Sequence, residues 1–164
     1  VKTIWAIFTF ATLKLPADAV LYSKKTFNRL QQIRNVIARV VVAKSSVQPR
    51  TSSTEILRQL HWLPIESRVR YKLASLTYNV QTYGSPTYLS HLINCYVPVR
   101  TLRSSGANLL TVPSCNLSFG SRSFRVAAPT VWNSLPQYVR ASTSVTLFRR
   151  NLKTFLFKSA FSAP

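Results

Sequence analysis

Val69-Arg70-Tyr71-Lys72-Leu73-Ala74-Ser75-Leu76-Thr77-Tyr78-Asn79-Val80-Gln81-Thr82-Tyr83-Gly84 decides the fold class. Val69, Leu73, Leu76, Val80 and Tyr83 recur at spacings of four, three, four and three, the repeat of one apolar helix face. Arg68, Arg70 and Lys72 fall on its other faces. Gly84 follows the last apolar position and, lacking a Cβ, takes the left-handed conformation that ends helices. One amphipathic helix ending at Gly84 is expected.

The same period appears on both sides of it. Phe27, Leu30, Ile33, Ile37, Val40 and Val41 form a stripe, with Asn28, Arg29, Gln31, Gln32, Arg34 and Asn35 opposite, so a helix is expected from about Lys25 to Ala43. Ser53 or Thr54 can cap a short helix running to about His61 and stopped by Pro64. Ser85-Pro86 reads as a cap and first-turn proline for a short helix reaching about Ile93. Between Cys95 and Phe119 the pattern breaks, punctuated by Pro98, Gly106 and Pro113, and Leu109–Val112 has the composition of a short strand. Ser121 or Ser123 starts a helical turn towards Trp132, with Pro129 expected to limit its length. Ser142 or Ser144 caps a last helix whose Val145, Phe148, Leu152, Phe155 and Leu156 share a face. The fold class is therefore mainly α: a small helical domain with an irregular insert around residues 95–120 that has room for β structure. Residues 1–44 form a helical entry segment, 45–53 a polar linker, and 54–164 a basic helical C-terminal domain onto which 1–44 can pack.

Charge sets the functional classes. The 164 residues carry 22 Lys and Arg against Asp18, Glu55 and Glu66, a net charge of +19. From Ser67 to Pro164 there are twelve basic residues and no acid. Two-metal polymerase or nuclease chemistry needs clustered carboxylates, and a glycosidase needs a facing pair; neither set exists here. Three scattered glycines build no phosphate loop, and no G-x-S-x-G elbow occurs. Unbalanced charge repels itself, so a surface this basic suits a polyanion, nucleic acid before an anionic membrane. At 46% hydrophobic and 12% aromatic residues, the chain has the material for a packed core.

The cations interleave with aromatic residues: Trp62 near Arg58 and Arg68, Tyr71 between Arg70 and Lys72, Phe124 between Arg122 and Arg125, Phe148 beside Arg149. Such pairing suits phosphate neutralisation with base stacking. Ordinary burial of aromatics favours the core for Tyr71, Phe124 and Phe148. Cys95, Cys115, His61 and His91 do not have zinc spacing, and no cofactor is expected. Val1–Ala19 has the layout of a secretory signal, with Lys2, an apolar run and Ala17-Asp18-Ala19. It also reads as a helix with Ile4, Ile7, Phe8 and Ala11 on one face.

Several stretches resemble the C-terminal region of reverse transcriptases from LINE-type (non-LTR) retrotransposons. They are Leu57-Arg58-Gln59-Leu60-His61-Trp62-Leu63-Pro64, Tyr71-Lys72-Leu73-Ala74, Tyr96-Val97-Pro98 and Arg100-Thr101-Leu102-Arg103-Ser104-Ser105. The likeness is strongest at Val126-Ala127-Ala128-Pro129-Thr130-Val131-Trp132-Asn133-Ser134-Leu135-Pro136 and ends with Phe148 and Leu152-Lys153-Thr154-Phe155-Leu156. Val1-Lys2-Thr3-Ile4 and Val20-Leu21-Tyr22 are similar to the segment entering that region, which sets the internal reading of Val1–Tyr22 above the signal reading.

The resemblance implies a part lying after the polymerase palm, thumb-like or an extension, without catalytic residues of its own, from a parent that is an RNA-directed DNA polymerase. It implies RNA or an RNA–DNA hybrid and the upstream polymerase domain as partners, with no membrane and no small-molecule substrate. The setting is then intracellular, in a cytoplasmic ribonucleoprotein or the nucleus. Candidate nucleic-acid contacts are Arg68, Arg70, Lys72, Arg100, Arg103, Arg122, Arg125, Arg149, Arg150 and Lys153. Trp132 reads as a core anchor. Two alternatives stand beside this: a degenerate or repurposed retroelement product without activity, and a basic secreted protein with a cleaved signal.

Overall fold

The fold is mainly α. The computed structural model describes residues 24–43, 51–98, 108–116 and 120–162; the readings made for Val1–Tyr22 and for most of the linker lie outside them. Among the described residues there are seven α-helices: α1 Lys24–Ala43, α2 Ser53–Gln59, α3 Ile65–Tyr83, α4 Thr87–Ser90, α5 Phe124–Asn133, α6 Gln137–Arg140 and α7 Val145–Phe161. A 3-10 turn, Gly120–Arg122, leads into α5.

α3 is the element around which the others gather: α1, α4, α5 and α7 all pack on it. Of the expected stripe Val69, Leu73 and Val80 are buried, Leu76 is half-buried and Tyr83 is exposed at the end, while Ala74, Thr77 and Tyr78 bury a second face that the stripe did not include. Gly84 terminates it at φ +63°, donating its N–H to the Val80 carbonyl at 3.0 Å. The main core joins Tyr78 and Ala74 of α3, Trp132 of α5, Val139 of α6, and Phe148, Leu152 and Leu156 of α7, with Leu63, Leu110 and Leu135 from the connections. Tyr78 stacks on Phe148 at 4.3 Å between ring centroids, and Trp132 on Phe148 at 5.8 Å. Each aliphatic or aromatic side chain buried this way contributes about 1.5–3 kcal/mol.

Four expectations are corrected. The caps of two helices are Ser52, whose Oγ accepts from Glu55 N–H at 3.2 Å, and Ser144, which serves Leu147 N–H at the same distance. Ser52 stands one position before the expected cap of α2. Pro129 does not end α5, which continues to Asn133; the buried ring and the packing of Ala128 and Trp132 outweigh the lost backbone bond. The apolar stripe of α1 does not face inward as a whole. Its buried residues are Ala38 and Val42, packed with Ile56 and Leu57 of α2, whereas Ile33, Val36 and Val40 are more than half exposed. Among its described residues the insert contains an isolated antiparallel bridge, Cys95 to Leu110, in place of a strand at Leu109–Val112.

Candidate nucleic-acid interface

The helical period of α3 divides the expected cations. Arg68 and Lys72 are four residues apart and share a face with Tyr71. Arg70 is turned about 200° from Arg68 and donates to Glu66 Oε1 at 2.8 Å, an exposed i,i+4 pair. Glu55 is likewise held by Arg58, through Nε at 2.8 Å and a second nitrogen at 2.9 Å. That contact holds the Glu55 carboxyl below its ordinary range. The two acids among the described residues are thus each engaged by an arginine.

α7 adds cations beside α3. Its buried Phe148, Leu152 and Leu156 turn Arg149, Arg150 and Lys153 to the exposed side. Arg149 is near enough to Tyr71 for its charge to favour the phenolate, although burial dominates and raises the Tyr71 pKa. Arg68 and Lys72 thus flank Tyr71 on α3, and Arg149 approaches the same half-buried tyrosine from α7. Arg122 and Arg125 are exposed about Phe124, whose ring packs on Val69 and Leu73 from the α5 side. Phe148 and Trp132 belong to the main core, and Phe124 is partly buried against the separate Val69–Leu73 cluster. Arg100 and Arg103 lie outside the described residues.

No family model, curated protein or solved structure matches this chain.

One member of that arrangement escaped the sequence reading. Arg34 projects from α1 with its guanidinium carbon 5.2 Å from the centre of the Trp62 ring. Burial, with the Arg68 charge as the second cause, lowers its pKa to about 10. Burial lowers Arg68 as well. The period of α1 puts Arg34 opposite the apolar stripe; its proximity to Trp62, 28 residues on, has no local sequence signal. Gln31, one turn before it, shows how it gets there: Gln31 Oε1 accepts from the Ile65 N–H at 2.9 Å and fixes α1 against the start of α3.

A groove of about 930 Å³ lies elsewhere, lined by Phe27, Gln31, Leu57, Val69, Val131 and other residues. Its charged lining consists of Glu66 and Arg70, which neutralise each other. It offers no excess of positive charge to a polyanion. Cys95 and Cys115 are exposed and not joined in a disulfide. His61 packs on Phe157 at 5.3 Å.

Proposed function

We propose that this chain binds RNA or an RNA–DNA hybrid through the cations of α3 and α7, as a non-catalytic, post-palm part of a LINE-type reverse transcriptase. The observation that carries the reading is the one-sided charge. Glu55 and Glu66 each pair with an arginine on their own helix, and Lys72 and Arg149 are exposed cations on the Tyr71 side of α3 and α7. Cations gathered without acids at +19 overall favour an extended array of phosphates, because each phosphate contacted releases condensed counterions. The sequence likeness at Val126–Pro136 supplies the parent enzyme, and Trp132 within it works as a core anchor.

The test is binding of the purified chain to single-stranded RNA, hybrid and duplex DNA across a salt series. Affinity should fall with salt, log K decreasing by about 0.7–0.9 per phosphate contact for each unit of log salt. A folded sample that binds none of the three at low salt would overturn the reading. Primer extension with Mg²⁺ or Mn²⁺ should give no product; template-dependent incorporation that survives repurification would overturn its non-catalytic part.

A further inference from the structure

We propose that two copies of this chain associate edge to edge through Cys95–Val97, covering the uncharged stretch that runs from Tyr83 to Val97. The association is independent of the nucleic-acid reading.

The backbone around the Cys95–Leu110 bridge supplies the edge. Tyr96 N–H donates to the Leu109 carbonyl and Thr111 N–H to the Asn94 carbonyl, both at 2.9 Å. In that pattern the peptide groups of Cys95 and Leu110 themselves point outward, to opposite sides of the pair. The Leu110 side is closed by Asn133, whose amide bonds both the Leu110 N–H and its carbonyl. On the other side, the N–H groups of Cys95 and Val97 have no partner among the described residues, and Val97 is 82% exposed. An open edge is a template for another strand. Paired antiparallel about a two-fold axis, it is complementary to itself. Pro98 has no N–H to offer and ends the edge, so the pairing is short and side chains supply most of the contact area.

Those side chains are present. Tyr83, Tyr88, Leu92, Tyr96, Val97 and Val112 are between 38% and 82% exposed. With about 200 Å² for a whole aromatic side chain, they leave on the order of 600 Å² uncovered, against the roughly 800 Å² that each partner gives to a standard interface. Interfaces favour tyrosine and avoid lysine and glutamate. Leu92 N–H donates to the Leu89 carbonyl and Ile93 N–H to that of Ser90, which ties the edge to α4, and α4 packs on α3.

Charge selects the occupant. No Lys, Arg, Asp or Glu occurs from Leu73 to Val99 or from Ser104 to Ser121, in a chain of net charge +19. A phosphate or an anionic headgroup therefore meets no cation of this stretch. Two such chains repel through any face that carries their cations, and here they can meet without bringing charges together. The other exposed apolar face does not allow this: Ile33, Val36 and Val40 share α1 with exposed Arg29 and Arg39.

The experiment follows the full 164-residue chain, freed of nucleic acid, by sedimentation equilibrium across a salt series. It should form a reversible dimer that tightens as salt screens the net charge, the opposite sign to phosphate binding. Val97→Lys and Tyr88→Lys each put a cation into the contact and should weaken the dimer about tenfold or more, as loss of an interface anchor does. Both positions are exposed, so these variants should melt close to the parent; if Val97→Lys does not fold, Tyr88→Lys decides. Val36→Lys, on the exposed face of α1, should leave the dimer unchanged. In the Cys115→Ser chain a short bismaleimide should join the two exposed Cys95 thiols, because either symmetric register holds them within two residues of each other, and Val97→Lys should remove that product. A chain that stays monomeric at every salt concentration overturns the proposal, as does a dimer indifferent to both Val97→Lys and Tyr88→Lys. A dimer lost in Val36→Lys puts the contact on α1 and overturns it as well. RNA binding is read separately in each case, so the two readings fail independently.

Discussion

The Asn133 side chain grips the Leu110 backbone with two hydrogen bonds. Leu110 N–H donates to Asn133 Oδ1 at 2.9 Å, and Asn133 Nδ2 donates to the Leu110 carbonyl at 2.8 Å. The side-chain amide thus takes the place of a neighbouring strand and holds an otherwise irregular connection on the core, where Leu110 is buried. Asn133→Ala should cost about 1–3 kcal/mol by leaving both backbone groups without their partner. Asn133→Asp should not rescue it, since a carboxylate faces the Leu110 carbonyl in place of the donor. Urea unfolding gives the stability, and hydrogen exchange at the Leu110 amide reports whether the loss is local.

Trp132, the preceding residue, is 1% exposed and stacks on Phe148, and its Nε1 donates to the Asn108 carbonyl at 2.7 Å. Trp132→Ala should cost about 3–5 kcal/mol. Trp132→Phe keeps a ring in the cluster and removes the hydrogen bond, so it should cost less. Thermal melts of both variants check the order. A Trp132→Ala protein that melts like the parent and loses RNA affinity would move the ring from the core to the ligand.

These two residues also mark what the sequence makes legible. The spacing along Val69–Tyr83 and the position of Gly84 fix α3, and the apolar face of Phe148, Leu152 and Leu156 fixes α7, because those signals are local and repeat every turn. That Trp132 and Asn133 should hold Asn108 and Leu110, more than twenty residues back, has no such signal. Periodicity likewise names an apolar stripe on α1 without naming its neighbour, so small Ala38 could settle against α2 while Ile33 and Val40 stayed outward. Among the expected cations, the Arg70–Glu66 pair follows from i,i+4 spacing. Arg34 does not, because its environment is made by Trp62 and Arg68 from two other segments.

Tyr71 gives a pH dependence. Burial raises its pKa, with Arg149 opposing, so the folded state favours the neutral phenol. The stability it contributes is complete below the unfolded value of about 10 and is lost as pH rises through the higher folded value. Tyr71→Phe should therefore flatten the decline in melting temperature above pH 10 relative to the parent, with little difference at pH 7. Equal slopes in the two proteins would show that other groups cause the alkaline loss.

Arg149 and Arg150 test the proposed interface with least risk to the fold. Both are exposed on α7, whose inward face is carried by Phe148, Leu152 and Leu156. Exposed charges contribute little to stability, so replacing both by Gln should leave the melting temperature within a few degrees of the parent. If each contacts a phosphate, the double variant should bind all RNA sequences more weakly by a similar factor. Its plot of log K against log salt should be shallower by up to about 1.4–1.8 units, two contacts' worth. Arg149 sits beside Tyr71 in the Arg68–Lys72 group, whereas Arg150 lies a further 100° or so around the helix. The single variants should then differ, with Arg149→Gln carrying more of the loss. Equal effects would spread the contact around α7, and an unchanged slope in the double variant would take α7 out of the interface.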